Sequence, residues 1–183
     1  KKLNCNFPIN SISNYKDAEK KKINLININF KHKKIFDKIS NKSNLYIRNC
    51  FKKSLEIIGN KEDKFVLING PVSKKTFLKK QYSGITEYLS QKTHSTNEVM
   101  LIYNNKFSVS PITTHIPIKK VVRNITKDKI QNKVIRLNNF YKKVFKKKIA
   151  IAVLGLNPHC ETIDKFSEEE KIIYPAIKYL KNA

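Results

Sequence analysis

The order of the apolar segments predicts an α/β fold, a layered sheet with helices on both faces. Three observations support this class. Residues 23–30 and 64–69 have the apolar content of strands, and the segment between them has the apolar spacing of a helix. A second helical pattern is followed directly by residues 149–154, the most apolar stretch of the chain. Strands that alternate with helices are typical of a sheet covered by helices.

The first half of the chain predicts a strand, a helix and a second strand, in that order. Residues 1–22 are rich in lysine and asparagine without a clear period, so an irregular lead-in is expected there. Residues 23–30 nearly alternate between apolar and polar side chains, as in a strand. Ser43 can cap the helix that follows, and Gly59 can end it. The helix has apolar residues spaced four, four and three apart: Ile47, Phe51, Leu55 and Ile58.

The second half predicts a hairpin between helices. A short helix is expected after Gly84. Residues 99–103 and 107–112 are strand-like and are joined by an Asn-Asn turn, which favours a hairpin. Thr126 can cap a long amphipathic helix.

The last part of the chain predicts a central strand followed by a terminal helix. Residues 149–154 are bounded by a glycine and have the composition of a buried strand. The last helix is expected to begin near Ser167, in a run of glutamates that favours a helix start. Pro175 should kink or restart it, because proline has no backbone N–H to donate.

The composition excludes several classes of function. The 183 residues carry 38 basic and 14 acidic side chains, a net charge of +24. A charge of this size suggests nucleic-acid binding, but only Arg48, Arg123 and Arg136 are arginine, and lysine is spread over almost every segment. We therefore expect no specific nucleic-acid partner. No apolar run approaches the roughly 20 residues of a membrane helix, so no membrane association is expected.

The glycines exclude two nucleotide-binding motifs, and the cysteines indicate the cellular compartment. The chain has 4 glycines, and neither GxGxxG nor GxxxxGK[ST] can be written with them. Cys5, Cys50 and Cys160 are odd in number and widely spaced, which is typical of a reducing compartment and predicts a cytoplasmic protein.

Three polar motifs follow apolar strand-like segments, where ligands bind in open α/β sheets. They are NGPVSK at 69–74, TTHIP at 113–117 and GLNPH at 155–159. His115 and His159 could converge on one metal ion, or each could hold its own loop by hydrogen bonds. Lys74 could bind a phosphate or carboxylate as a point charge, or remain a solvated surface charge. Thr86 could be a ligand-binding hydroxyl or an ordinary residue of the helix start.

These motifs, together with GITE at 84–87 and the glutamate pair at 168–169, resemble the 4-hydroxythreonine-4-phosphate dehydrogenase (PdxA) family of vitamin B6 synthesis. The glutamate pair leads to apolar and proline residues of the same pattern: Ile173, Pro175, Ala176 and Ile177. The similarity covers about residues 60–183, and more loosely from residue 23. TTHxP together with GLNPH at this separation is a specific signature.

The resemblance implies NAD-dependent oxidation of 4-phosphohydroxy-L-threonine, followed by decarboxylation. It implies a divalent metal (Zn, Mg or Co) held by three histidines, of which His115 and His159 match two. The third comes from a later segment across the interface of a homodimer. Thr86 matches a substrate-contacting threonine, and Lys74 is the candidate residue that binds the charged group of this small phosphorylated substrate.

The resemblance also implies an isocitrate/isopropylmalate dehydrogenase-like architecture of two lobes, incomplete here. Residues 1–97 would belong to the first α/β lobe. Residues 98–183 would belong to the second and carry the metal histidines.

The chain departs from the family pattern in ways that keep alternatives open. Ile85 stands where the family has a substrate-contacting histidine, so the substrate could instead be a related phosphorylated hydroxy acid, such as 4-phospho-threonate or 4-phospho-erythronate. The family's opening GDPxGIG loop and the region that binds most of the NAD are not found in the 183 residues, so the NAD site is assigned to no residue here. We therefore expect an internal part of a longer protein, inactive by itself. A non-catalytic fragment or a polyanion-binding domain is the alternative from another class.

Overall fold

The computed structural model describes six stretches of the chain: residues 7–31, 38–59, 65–79, 81–96, 98–160 and 167–182. The contacts divide the chain into two compact units, Lys1–Leu89 and Ser90–Ala183, and each is described by itself. Both contain helices and extended segments, which confirms the mixed helix-and-strand class. The assignment of residues 1–97 and 98–183 to two lobes stays a prediction. Cys5 lies outside the described residues.

The first unit begins with two short strands. Strand β1 (Ile9–Ser11) pairs in parallel with β2 (Ile23–Leu25), with Ile9 opposite Ile23, and a 3-10 turn at Tyr15–Asp17 lies between them. The expectation that residues 1–22 are irregular is therefore wrong at 9–11. The residues Ile-Asn-Ser-Ile at 9–12 do not alternate between apolar and polar, so the strand forms through its pairing with β2 and not from a local pattern. Strand β2 confirms the beginning of the strand predicted at 23–30.

Two helices build the core of the first unit. A 3-10 turn (Asn41–Ser43) leads into helix α1 (Asn44–Ile58), and helix α2 (Ile85–Lys92) follows a π-helical turn at Lys74–Leu78. Helix α1 confirms the predicted apolar spacing, and helix α2 confirms the short helix predicted after Gly84. The core consists of an aromatic trio and a leucine: Phe51, Phe77, Tyr88 and Leu78. The ring centroids of Phe77 and Tyr88 are 5.2 Å apart in an edge-to-face arrangement.

The second unit begins with a reduced hairpin. Ile102 and Val109 form an isolated antiparallel bridge, and their backbone N–H groups donate to each other's carbonyls at 2.8 and 3.0 Å. The predicted hairpin is thus confirmed at its turn, but not along 99–103 and 107–112 as full strands.

The helices of the second unit begin after the TTHIP motif. A 3-10 turn (Ile118–Lys120) precedes helix α3 (Val121–Asn124) and helix α4 (Lys127–Phe140), which continues as a π-helical turn at Tyr141–Phe145. The predicted cap is confirmed, since the Lys129 backbone N–H donates to Thr126 Oγ1 at 3.3 Å.

The terminal helix changes its winding at the predicted position. A π-helical turn (Glu169–Ile173) passes into helix α5 (Tyr174–Asn182) one residue before Pro175, which confirms the predicted restart. Helices α4 and α5 enclose the core of the second unit: Ile125, Ile130, Ile173 and Ala176. Val153 and Leu156 pack against this core, so they seat the start of the GLNPH motif on it.

The predicted layered sheet is not found in the described residues, whose only sheet is the β1–β2 pair. Neither residues 65–69 nor residues 149–154 are strands. Val66, Ile68 and Leu154 are 85%, 88% and 83% exposed. A strand forms only beside a neighbour that pairs with its N–H and C=O groups, and local composition does not supply that neighbour.

The described helices were predicted to include no membrane span. None of them is both long and apolar enough to cross a bilayer.

Candidate functional site

The substrate candidates of the first unit lie at two helix starts. Lys74 is exposed and opens the π-helical turn, where Ser73 Oγ accepts a hydrogen bond from the Thr76 N–H at 3.3 Å. Thr86 is exposed in the first turn of α2. Ile85, one residue earlier, is half-buried and packs against the aromatic core. Lys74 and Thr86 can therefore meet a ligand from solvent, whereas the Ile85 side chain belongs to the core.

The two metal candidates lie on loops of the second unit, in the same unusual backbone conformation. His115 has a φ of 56° and His159 a φ of 67°, both in the left-handed region, and both side chains are exposed. Cys160 follows with a φ of 58°. A non-glycine residue in this region is disfavoured by about 1–3 kcal/mol and persists only where its surroundings hold it. Sequence periodicity carries no signal for these angles.

The 155–160 loop is held by the carboxylate of Glu169. Glu169 Oε1 accepts hydrogen bonds from the backbone N–H groups of Leu156 at 2.7 Å and Asn157 at 2.8 Å. Glu169 Oε2 accepts from the side-chain amide of Asn157 at 2.8 Å, and the same amide donates to Glu168 Oε2 at 2.8 Å. Glu169 is 1% exposed although it is charged. A buried carboxylate is stable only with such a set of donors.

The hydrogen bonds to Glu169 also change its acidity. The backbone N–H of Asn157, then its side-chain amide, lower the pKa of Glu169 from 4.5 to about 2, against the opposing effect of burial. The carboxylate is therefore ionised throughout the neutral range and keeps its acceptors available to the loop.

Gly155 is required by the packing of this loop. A Cβ at position 155 would overlap the sulfur of Cys160 and would lie 3.3 Å from Glu169 Oε1. The Cys160 thiol in turn donates to the carbonyl of Asn157 at 3.5 Å. The loop thus folds back on its own first residue, and only glycine leaves room for that closure.

The loop before His115 has a different anchor. Lys133, on helix α4, donates from Nζ to the carbonyl of Pro111 at 2.9 Å. Burial lowers the pKa of Lys133, and Glu98 opposes that effect. This bond fixes the chain four residues before His115.

The second unit offers two exposed imidazoles to a divalent metal, His115 and His159. Two imidazoles on loops of one unit are suitable ligands for zinc or cobalt. The described residues contain no group of three or more His, Cys, Asp or Glu side chains that could share an ion. Three protein ligands are the rule for a catalytic zinc, so the described part of the chain does not complete such a site.

Glu169 and Lys133 were not singled out from the sequence as residues that hold the histidine loops. Their partners are 12 and 22 positions away along the chain, beyond the reach of a local pattern. The one available signal was the glutamate pair at the start of a helix, opposite a motif whose backbone N–H groups need acceptors.

Comparison with known proteins points to one family. The family model described as "Pyridoxal phosphate biosynthetic protein PdxA" matches residues 1–183. A curated 4-hydroxythreonine-4-phosphate dehydrogenase from Sulfurihydrogenibium sp. is 39% identical over 141 residues, which are 75% of this chain and 42% of that protein. A D-threonate 4-phosphate dehydrogenase from Pectobacterium atrosepticum is 33% identical over 101 residues, 55% of this chain and 31% of that protein.

The solved structures agree at the level of the fold. A 4-hydroxythreonine-4-phosphate dehydrogenase structure from Klebsiella pneumoniae superposes with a TM-score of 0.77 at 22% identity, covering 96% of this chain and 56% of that one. The chain therefore spans about half the length, or less, of the proteins it matches.

Proposed function

The chain belongs to the PdxA family, and on that premise we propose that it forms part of a dehydrogenase that oxidises 4-phosphohydroxy-L-threonine with NAD in pyridoxal phosphate synthesis. The product would then lose CO2. The observation that carries the proposal is the pair His115 and His159, each exposed on a loop of the second unit within the TTHIP and GLNPH motifs.

Each candidate residue has a role in this proposal. His115 and His159 supply two ligands of a divalent metal (Zn, Mg or Co), and a third histidine comes from the partner subunit of a homodimer. The bound metal would polarise the substrate hydroxyl as a Lewis acid. The Lys74 ammonium pairs with the phosphate or carboxylate of the substrate, and the Thr86 hydroxyl bonds to it. The protein would work in the cytoplasm, in an isocitrate/isopropylmalate dehydrogenase-like fold of two lobes.

One residue favours a second substrate. Ile85 stands at the position of the family's substrate histidine, and its side chain packs against the aromatic core of the first unit. It cannot donate a hydrogen bond, so one polar contact of the family is lost and a substrate with a different polar group is favoured. A phosphorylated threonate or erythronate is the candidate, and the relative from Pectobacterium atrosepticum carries the name of such an enzyme.

Metal titration tests the proposed ligands. Zn²⁺ affinity of the 183-residue chain should fall with His115→Ala and with His159→Ala alike. His94→Ala is the matched control, because His94 is also exposed and has a φ of 52°. In a polyanion-binding domain, none of the three substitutions would change the Zn²⁺ affinity, and the protein would bind DNA with steep salt dependence.

The substrate is tested by NADH formation in protein that contains this sequence. 4-Phosphohydroxy-L-threonine and D-threonate 4-phosphate are compared under the same conditions. The ratio of the two kcat/KM values decides between the two substrates. Absence of NADH with both substrates would contradict the proposed activity.

A further inference from the structure

We propose that Glu169 is a positioning residue for His159: its buried carboxylate fixes the 155–160 loop in the conformation that presents the imidazole. The functional meaning of this role rests on the proposed function, in which His159 is a metal ligand. The structural statement, that Glu169 determines the conformation at His159, can be tested without any metal.

The carboxylate makes contacts that a loop needs and cannot make by itself. Two successive backbone N–H groups, of Leu156 and Asn157, point to the same oxygen, Glu169 Oε1, at 2.7 and 2.8 Å. The second oxygen receives the Asn157 side chain at 2.8 Å. Charge-assisted bonds of this length are the stronger kind in proteins. The backbone two residues before His159 is therefore fixed in both position and direction.

The strain beyond these bonds shows why an anchor is needed. His159 and Cys160 are consecutive non-glycine residues with φ of 67° and 58°. Such a pair would relax to other conformations unless the chain on at least one side is held. The 155–160 loop is held on its N-terminal side by Glu169 and closed by the Cys160 thiol on the Asn157 carbonyl.

The anchor itself is rigid because it belongs to the core. Glu169 opens the π-helical turn that ends at Ile173, and Ile173 and Ala176 are 4% and 0% exposed in the core of the second unit. On the other side of the contact, Leu156 packs against the same core. The position of His159 is thus tied through Asn157 and Glu169 to the packing between α4 and α5.

The test compares Glu169→Gln with Glu170→Gln in the 183-residue chain. The first variant keeps the side-chain volume but places an NH2 donor among donors. The second removes the same charge from the exposed next residue. Imidazole and Cα signals of each histidine are followed by NMR, and Zn²⁺ affinity is measured by titration with the metal alone.

We expect Glu169→Gln to move the His159 signals and to leave those of His115 in place. Zn²⁺ affinity should fall by about 10- to 100-fold, the usual range for a residue that orients a metal ligand. Glu170→Gln should change neither. His159 signals at their native positions in folded Glu169→Gln would overturn the proposal, even if the variant unfolded more easily.

Two further measurements keep the outcome decisive. If Glu169→Gln does not fold, Asn157→Ala takes its place, since it leaves both backbone bonds and removes only the amide bonds. It should shift the His159 signals to a smaller extent, and unchanged signals would overturn the proposal. If wild-type protein binds no Zn²⁺ while the His159 signals still move in Glu169→Gln, the positioning role stands and the proposed metal function fails.

Discussion

The two loops that carry the candidate metal histidines are anchored in different ways. The 155–160 loop lies on a buried carboxylate that takes bonds from two backbone groups and one side chain. Near His115, the half-buried Lys133 donates to the carbonyl of Pro111, four residues earlier. Both histidines have left-handed backbones. One strained conformation can therefore be maintained by a close buried anchor or by a distant, partly exposed one, and we expect the first to be the more rigid.

The largest effect should come from filling the closed loop. Gly155→Ala would push the new methyl group into Cys160 and toward Glu169, so it should destabilise the chain by about 1–3 kcal/mol. Gly70→Ala is the matched control, because nothing lies within 4 Å of a Cβ there, and its effect should stay within about 0.5 kcal/mol. Urea unfolding measures both. Equal destabilisation by the two variants would contradict the close packing of Gly155 against Cys160.

A smaller effect should come from the anchor of the other loop. Lys133→Met keeps the apolar stem of the side chain and removes the bond to the Pro111 carbonyl, which should lower the free energy of unfolding by about 1 kcal/mol. The NMR signals of His115 should broaden or shift, and those of His159 should not. Coupled changes at both histidines would mean that the two loops are not independent.

The acid dependence of stability tests the ionised state of the Glu169 carboxylate. The folded-state pKa of Glu169 is about 2, below its ordinary value of 4.5, so its contribution to stability is complete above about pH 4.5. That contribution is lost as the pH falls through about 2. The urea midpoints of wild type and Glu169→Gln should therefore differ at pH 6 and converge toward pH 2.

Glu168 is the other carboxylate that faces the Asn157 amide, and Glu168→Gln serves as the comparison. The urea midpoint of Glu168→Gln should fall between pH 6 and pH 2 by nearly as much as that of wild type. A difference between wild type and Glu169→Gln that persists unchanged at pH 2 would contradict ionisation of Glu169 as its cause.

Features that depend on neighbouring residues could be predicted from the sequence, and features that depend on distant residues could not. Helix α4 depends on periodicity and on a cap within a few residues. Helix α1 shows the predicted periodicity, but the Ser43 side chain makes no capping bond, so that predicted cap is wrong. Both helices were predicted near their observed ends. The segments 65–69 and 149–154 have strand composition, but pairing requires a partner far away in the chain, and composition alone misassigned them.

The candidate site also contains features that were predictable from local sequence and features that were not. The motifs around His115 and His159 were recognisable from the sequence because turn residues and histidines stand together there. The role of Glu169 was not, because its bonds to the loop cross 12 and 13 positions and depend on how α5 packs.

The π-helical turn at Glu169–Ile173 has a consequence for the length of the chain. A π turn accommodates one residue more than an α turn, and such turns are frequent at functional sites. Inserting a further residue at 170–172 would exceed what the π turn accommodates and would rotate Glu169 by about 100° relative to α5. The carboxylate would then leave the 155–160 loop, although every side chain that touches it would still be encoded. Natural variants should accordingly tolerate substitutions in this turn far better than insertions.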